Sequence, residues 1–116
     1  MLWAFSHNEK LPLRIQKILK NSDNTFYVSS VSVWEIAIKK SLGKLECPDN
    51  LIEMIFKKQC KQLEINFFHA QKVESLPNIH NDPFDRFLIA QSQVENIPIL
   101  TKDQYIREYD VEVIWD

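Results

Sequence analysis

The stretch Asp82-Pro83-Phe84-Asp85-Arg86-Phe87-Leu88-Ile89-Ala90-Gln91 begins a helix and carries two carboxylates at its start. Proline is favoured at the first helical position, and aspartate is favoured before it because its side chain accepts hydrogen bonds from otherwise unpaired N–H groups. Asp82 is therefore predicted as the N-cap and Asp85 as the third helical residue. The rest of the stretch is mainly apolar, which predicts a buried helix whose N-terminus is open to solvent or to a ligand.

These two carboxylates have a structural explanation as well as a functional one. An N-cap aspartate stabilises a helix by about 0.5–2 kcal/mol, and an acid in the first turn interacts favourably with the helix dipole. The stretch taken alone favours capping over chemistry. A functional interpretation depends on acids elsewhere in the chain.

Length and composition indicate a soluble globular protein with one domain over residues 1–116. The net charge of −2 neither favours nor excludes nucleic acid, because binding depends on where the positive charges lie. Cys47 and Cys60 lack a CxxC pattern, so neither a zinc site nor a disulfide framework is predicted. No apolar run is long enough to cross a bilayer and no signal peptide is recognisable, so we expect a cytoplasmic protein.

Helical and strand patterns alternate along the chain. Apolar spacing predicts helices over 11–20, 31–42, 49–62, 67–76, 83–95 and 103–109, and strands over 26–28, 63–65, 97–101 and 111–115. The second helix is expected to have Ser29 or Ser30 as its N-cap and to stop at Gly43, the single glycine of the chain. This alternation favours an α/β fold with a mostly parallel sheet.

Three acids, Glu35, Asp85 and Asp103, lie in or just before helices that follow predicted strands or loops. Ligands of open parallel sheets bind at the carboxyl ends of the strands, so these acids are expected to converge there. Converging carboxylates repel one another unless a cation compensates, and such oxygen ligands suit Mg²⁺ or Mn²⁺. For Glu35 and Asp103 structural roles stay open, an i,i+4 pair with Lys39 and a cap of the next helix.

Four segments together resemble a known family. They are Val28-Ser29-Ser30-Val31-Ser32-Val33-Trp34-Glu35-Ile36-Ala37-Ile38-Lys39, Gly43-Lys44-Leu45, His80-Asn81-Asp82-Pro83-Phe84-Asp85-Arg86-Phe87-Leu88-Ile89-Ala90-Gln91 and Leu100-Thr101-Lys102-Asp103. In this order, over nearly the whole chain, they are similar to the PIN-domain toxins of type II toxin–antitoxin systems, the VapC-like proteins.

The resemblance implies a PIN-like α/β/α sandwich and a Mg²⁺-dependent ribonuclease, normally homodimeric and neutralised by a cognate antitoxin. It also implies that Glu35, Asp85 and Asp103 hold the metal, and that Lys39 and Arg86 contact RNA phosphate. The amphipathic segments 11–20 and 49–62 correspond to part of the family's antitoxin groove.

The N-terminus departs from the family pattern. Family members open with a strand that ends in an aspartate, whereas Met1-Leu2-Trp3-Ala4 matches only the end of the stretch that follows that strand. We therefore expect the first strand and its metal-ligand aspartate to be absent and the sequence to be truncated at its start. The genomic codons upstream of Met1 test this expectation.

Two functions follow from this pattern. The first is a metal-dependent endoribonuclease toxin, in which the missing aspartate is expected to lower the affinity for the metal. The second is a catalytically inactive PIN-like protein that binds an antitoxin or a second subunit. The histidines His7, His69 and His80 are unclustered in the sequence and are expected to be structural, although His80 precedes the main motif and can approach a substrate.

Overall fold

The computed structural model describes residues 2–3, 13–46 and 49–115. Within these ranges there are five strands, and one or two α-helices connect each strand to the next. The strands are β1 (Leu2–Trp3), β2 (Tyr27–Ser29), β3 (Lys61–Leu63), β4 (Ile99–Leu100) and β5 (Val113–Ile114). The helices are α1 (Leu13–Lys20), α2 (Ser30–Ser41), α3 (Leu51–Lys57), α4 (Phe67–Lys72), α5 (Pro83–Glu95) and α6 (Gln104–Arg107), and a 3₁₀ turn over Val73–Ser75 follows α4.

The strands form one parallel sheet in the order β3-β2-β1-β4-β5. This arrangement confirms the predicted α/β fold with a parallel sheet. The helices α2 and α6 follow β2 and β4, the strands on either side of β1, so both begin near the carboxyl edge of the sheet.

The centre of the sheet corrects one prediction. A first strand was expected to be missing, but β1 lies in the middle, where Leu2 pairs with both Tyr27 and Ile99. A strand of two residues is too short to give a period-2 pattern, and only its pairing on both sides identifies it. Residues 4–12, which follow β1, lie outside the described residues, and their sequence includes one acid, Glu9, and no aspartate.

A second correction concerns the segment 49–65. The predicted helix over 49–62 ends at Lys57 in the structure, and the strand predicted at 63–65 lies two residues earlier. Gln59 has a φ of 61°, which ends the helical path, and the N–H of Lys61 donates to the carbonyl of Phe26 at 2.8 Å. Pairing with β2 therefore decides where this strand begins.

Two buried apolar clusters cover the two faces of the sheet. Ile99 belongs to the cluster with Leu88 and Ile106, whereas its neighbour Leu100 belongs to the cluster with Ile15. Successive residues of a strand point to opposite faces, so the two clusters lie on opposite sides of the sheet. This arrangement is the predicted three-layer sandwich. None of the described helices has the length and apolar content needed to cross a membrane.

A buried polar contact fixes α5 against β2 and α2. Ser29, the N-cap of α2, accepts a hydrogen bond from the N–H of Val31 and donates to Oε1 of Gln91 at 2.5 Å. Ser29 and Gln91 are both fully buried, and the amide of Gln91 also donates to the carbonyl of Glu64. This contact aligns the two helices that carry Glu35 and Asp85.

Gln91→Leu should destabilise the protein by about 1–3 kcal/mol, because the buried hydroxyl of Ser29 loses its acceptor and the carbonyl of Glu64 loses a donor. Urea unfolding followed by circular dichroism measures this change. The control is Gln93→Leu on the same helix, where an exposed hydrogen bond to the carbonyl of Asp110 is lost and the expected change is below about 0.5 kcal/mol. Equal losses in the two variants would contradict the role given to Gln91.

Candidate metal centre

The start of α5 is built as its sequence predicts. The Asp82 carboxylate accepts hydrogen bonds from the N–H groups of Phe84 at 2.9 Å and Asp85 at 3.4 Å, and Pro83 is the first helical residue. Asp82 is therefore confirmed as the N-cap. The cap fixes the first turn and with it the position of the Asp85 side chain.

The loop before α5 is held by two side chains from outside it. The guanidinium of Arg86 donates to the carbonyls of Pro77 at 2.9 Å and Val73 at 3.2 Å, and to the hydroxyl of Tyr109 at 3.3 Å. The N–H of His80 donates to the same Tyr109 hydroxyl at 2.9 Å. These bonds place His80 beside the start of the helix.

His80, Asp82 and Asp85 form a compact cluster, in which one potential ligand atom from each residue lies within 4.8 Å of the others. His80 Nε2 lies 3.2 Å from Asp85 Oδ2, and the two side chains are only 27% and 17% exposed. From the sequence, His80 is predicted to be structural. The only available signal was its position two residues before the N-cap, since the contact depends on the conformation of the loop.

Asp85 is the electrostatic centre of the site. Its pKa is raised from an ordinary value of 3.8 to about 6. The main cause is removal of the carboxyl group from water, and the charges of Asp82, Asp103 and Glu35 raise the pKa further, whereas His80 lowers it. The charges of Asp103 and Glu35 therefore reach the carboxyl group of Asp85.

Glu35 lies on α2 and is half-buried. Lys39 Nζ donates to Glu35 Oε2 at 2.7 Å, so the i,i+4 pair left open by the sequence is present. The pKa of Lys39 is raised, chiefly by this hydrogen bond and against a smaller effect of burial, and the charges of Glu35, Asp82 and Asp85 contribute. The ammonium of Lys39 thus lies within the field of the carboxylates.

Asp103 is the N-cap of α6, where its carboxylate accepts a hydrogen bond from the N–H of Tyr105 at 2.8 Å. Its own N–H donates to Oγ1 of Thr101 at 3.1 Å, which fixes the turn after β4. Asp103 therefore caps α6, and its carboxylate still lies close enough to Asp85 to raise the pKa of that residue. Within the described residues, the tight cluster contains Asp85 but neither Glu35 nor Asp103, which act on it from farther away.

Arg86 has a role that the sequence did not reveal. The hydrogen bonds of its guanidinium go to backbone carbonyls of the 73–77 segment and to Tyr109, so the side chain holds the loop of the site. Its contact with RNA phosphate stays a prediction.

Comparison with known proteins agrees with this architecture. A family model described as PIN domain matches residues 1–112. The chain belongs to the PIN-domain family. Among solved structures, this PIN domain is similar to a chain in the crystal structure of VapBC2 from Rickettsia felis bound to a DNA fragment from their promoter. The TM-score is 0.65 at 15% identity, over 89% of this chain and 83% of that chain, so the likeness concerns the fold. No curated protein matches the sequence.

Ionisation of the buried Asp85 carboxyl should lower the free energy of unfolding of this PIN domain at neutral pH. The unfolded chain releases the Asp85 proton near pH 3.8 and the folded chain near pH 6, so stability falls as pH rises through this window and is level above it. In EDTA at pH 7.5, Asp85→Asn should therefore raise the free energy of unfolding by about 1–3 kcal/mol.

The gain from Asp85→Asn should vanish at pH 4, where the carboxyl is protonated in the folded protein. Urea unfolding at the two pH values measures both effects. Asp23→Asn, a change in an exposed turn, is the control and should be neutral at both. A variant that is less stable than the wild type at pH 7.5 would contradict the electrostatic account.

Proposed function

We propose that this PIN domain is a metal-dependent endoribonuclease, the toxin of a toxin–antitoxin pair that acts in the cytoplasm. The observation that carries the proposal is the position of Asp85. Its carboxyl group is largely withdrawn from water and faces the charges of Asp82, Asp103 and Glu35. Such a group destabilises the protein, and perturbed carboxyls in this kind of setting are typical of functional sites.

A divalent cation fits the donor set. The residues around Asp85 offer carboxylate oxygens, which are the ligands that Mg²⁺ and Mn²⁺ prefer, and a bound cation removes the repulsion among them. Glu35, Asp85 and Asp103 would hold it, as the family resemblance implies. Asp82 lies in the same cluster as Asp85 and adds negative charge at the site.

A bound cation would supply an activated water and offset the negative charge of a phosphodiester. The chain contributes the remaining functions. His80 Nε2, 3.2 Å from Asp85 Oδ2, orients that carboxylate, and the cap by Asp82 fixes the helix turn that carries it. Lys39 is half-exposed beside Glu35 and can contact a phosphate of the RNA.

An antitoxin partner is supported by an apolar surface on α3. Phe56 is 57% exposed, Ile52 is 47% exposed, and both line a cleft of about 270 Å³ together with Val33. Exposed apolar side chains along a groove suit an amphipathic segment of a partner. The similar fold lies in a structure of VapBC2, which agrees with the resemblance to VapC-like toxins and with the antitoxin partner that this resemblance implies. A homodimer stays an expectation from the family resemblance.

The nuclease is tested by incubating the protein with RNA in Mg²⁺ and in EDTA. We expect cleavage in Mg²⁺ alone. Asp85→Asn and Glu35→Gln should each lower the rate by at least about 10- to 100-fold, the loss that even outer-shell substitutions produce at metal sites. Mg²⁺ should also raise the melting temperature of the wild type more than that of Asp85→Asn.

Glu53→Gln on α3, an exposed acid in the first turn of that helix, is the matched control and should cleave at the wild-type rate. Full activity of Asp85→Asn would show that the site is wrongly assigned. A wild-type protein that neither cleaves RNA nor gains stability from Mg²⁺ would favour the inactive, antitoxin-binding alternative.

The partner surface is tested in growing bacteria. Expression of the protein alone should arrest growth, and co-expression of its antitoxin, selected from the source genome by restored growth, should reverse the arrest. Phe56→Glu should remain toxic and lose this rescue, because a charge in the apolar cleft opposes docking. Phe67→Glu, on an exposed residue of α4, should be rescued like the wild type. Rescue of Phe56→Glu would exclude this cleft as the antitoxin site.

A further inference from the structure

Two aromatic pairs adjoin the carboxylates of the candidate metal centre. Trp34 on α2 meets Phe84 on α5 edge to face, with ring centroids 5.1 Å apart and planes at 72°. Each residue of this pair directly precedes an acid of the site in the sequence, Glu35 or Asp85. The pair therefore lies where the two acid-bearing helices meet.

The second pair lies on the β4 side of the site. The rings of His80 and Tyr105 are parallel within 1°, with centroids 4.7 Å apart. His80 also lies against Asp85, and the N–H of Tyr105 donates a hydrogen bond to the carboxylate of Asp103. This pair too is connected directly to the acids.

The outer member of each pair is open to solvent. Trp34 is 53% exposed and Tyr105 is 55% exposed, whereas Phe84 and His80 are partly buried beneath them. By contrast, Trp115 is packed in the core at 9% exposure. An exposed indole and phenol that are each held by a second ring offer rigid surfaces at little entropic cost.

Rings of this kind bind nucleobases by stacking. Every base has a planar face, so stacking on an aromatic side chain tolerates any sequence but requires a base that is not already stacked in a duplex. Phosphate contacts alone do not impose this requirement, because a duplex presents phosphates as well. Aromatic rings beside the acids would therefore select single-stranded RNA.

We propose that Trp34 and Tyr105 are the side chains that stack unpaired bases on the two sides of the phosphodiester held at the acids. The inference rests on the proposed function, since it names the side chains that position the RNA bases at the same site. Trp34 reaches the site from the helix after β2 and Tyr105 from the helix after β4, the two strands that border β1. A strand of RNA that crosses the carboxyl edge of the sheet passes both rings.

The test measures the binding of a fluorescein-labelled single-stranded RNA of eight nucleotides, and of its duplex, by fluorescence anisotropy. Ca²⁺ replaces Mg²⁺ in this assay as a hard cation with oxygen ligands. Trp34→Leu and Tyr105→Leu should each weaken binding of the single strand about 5- to 150-fold, the range measured for loss of one stacked base. Trp34→Phe and Tyr105→Phe should retain most of the affinity because they keep an aromatic face.

Phe67→Leu is the matched control, because Phe67 is 92% exposed but lies at the other end of α5. Phe67 is the first residue of α4, and His69 of the same helix contacts Glu95 on α5. Glu95 is ten residues along α5 from Asp85, a distance of about 15 Å. This variant should bind the single strand within twofold of the wild type. All variants should bind the duplex as weakly as the wild type does.

Suppose that the wild type cleaves RNA and that both leucine variants bind the single strand as tightly as the wild type does. This result would overturn the stacking proposal and leave the nuclease proposal intact. If the wild type does not cleave RNA but the leucine variants bind the single strand more weakly, stacking would be supported and the nuclease proposal overturned. Equal affinity of the wild type for single strand and duplex, or no binding of the single strand, would also overturn the stacking proposal.

Discussion

The candidate site depends on the position of the Asp85 carboxyl group, which water reaches poorly and which lies near other carboxylates. Burial and the charges of Asp82, Asp103 and Glu35 all favour the protonated form, which is the form least suited to bind a cation. A fold keeps such a group only if the surrounding structure holds it in place. The elements around Asp85 are arranged to do so.

Three sets of contacts hold the site. The cap by Asp82 fixes the first turn of α5, and the hydrogen bonds of Arg86 and Tyr109 fix the loop that brings His80 to Asp85. The buried contact between Ser29 and Gln91 aligns α2 with α5. Each of these contacts sets the distance between groups of the candidate site. The stability given up at Asp85 is offset by the two apolar clusters on either side of the sheet.

Local signals predicted the parts of the fold that local interactions decide. The Asp-Pro start of α5, the cap by Ser29 and the pairing of Glu35 with Lys39 involve residues at most four positions apart, and all are present. The carboxyl-edge rule for parallel sheets depends only on the order of strands and helices and predicts the three acids at one edge. In the structure, the charges of Asp103 and Glu35 raise the pKa of Asp85.

The features that the sequence could not supply depend on distant partners. The short strand β1 has no pattern of its own and exists through its pairing with β2 and β4. β3 begins at Lys61 because the backbone of Phe26 accepts its hydrogen bond. His80 joins the site through a hydrogen bond to Tyr109, 29 residues away. The guanidinium of Arg86 donates to the same hydroxyl, so it turns toward the loop instead of the open side of the helix.

The measurement that tests this account most directly is a crystal structure of the protein soaked with Mn²⁺, with anomalous data collected to locate the ion. The account predicts an anomalous peak within about 2.0–2.5 Å of the Asp85 carboxylate, with Glu35 and Asp103 bound to it directly or through one water. A peak elsewhere on the protein, or an ordered Asp85 side chain with no peak beside it, would contradict the central claim.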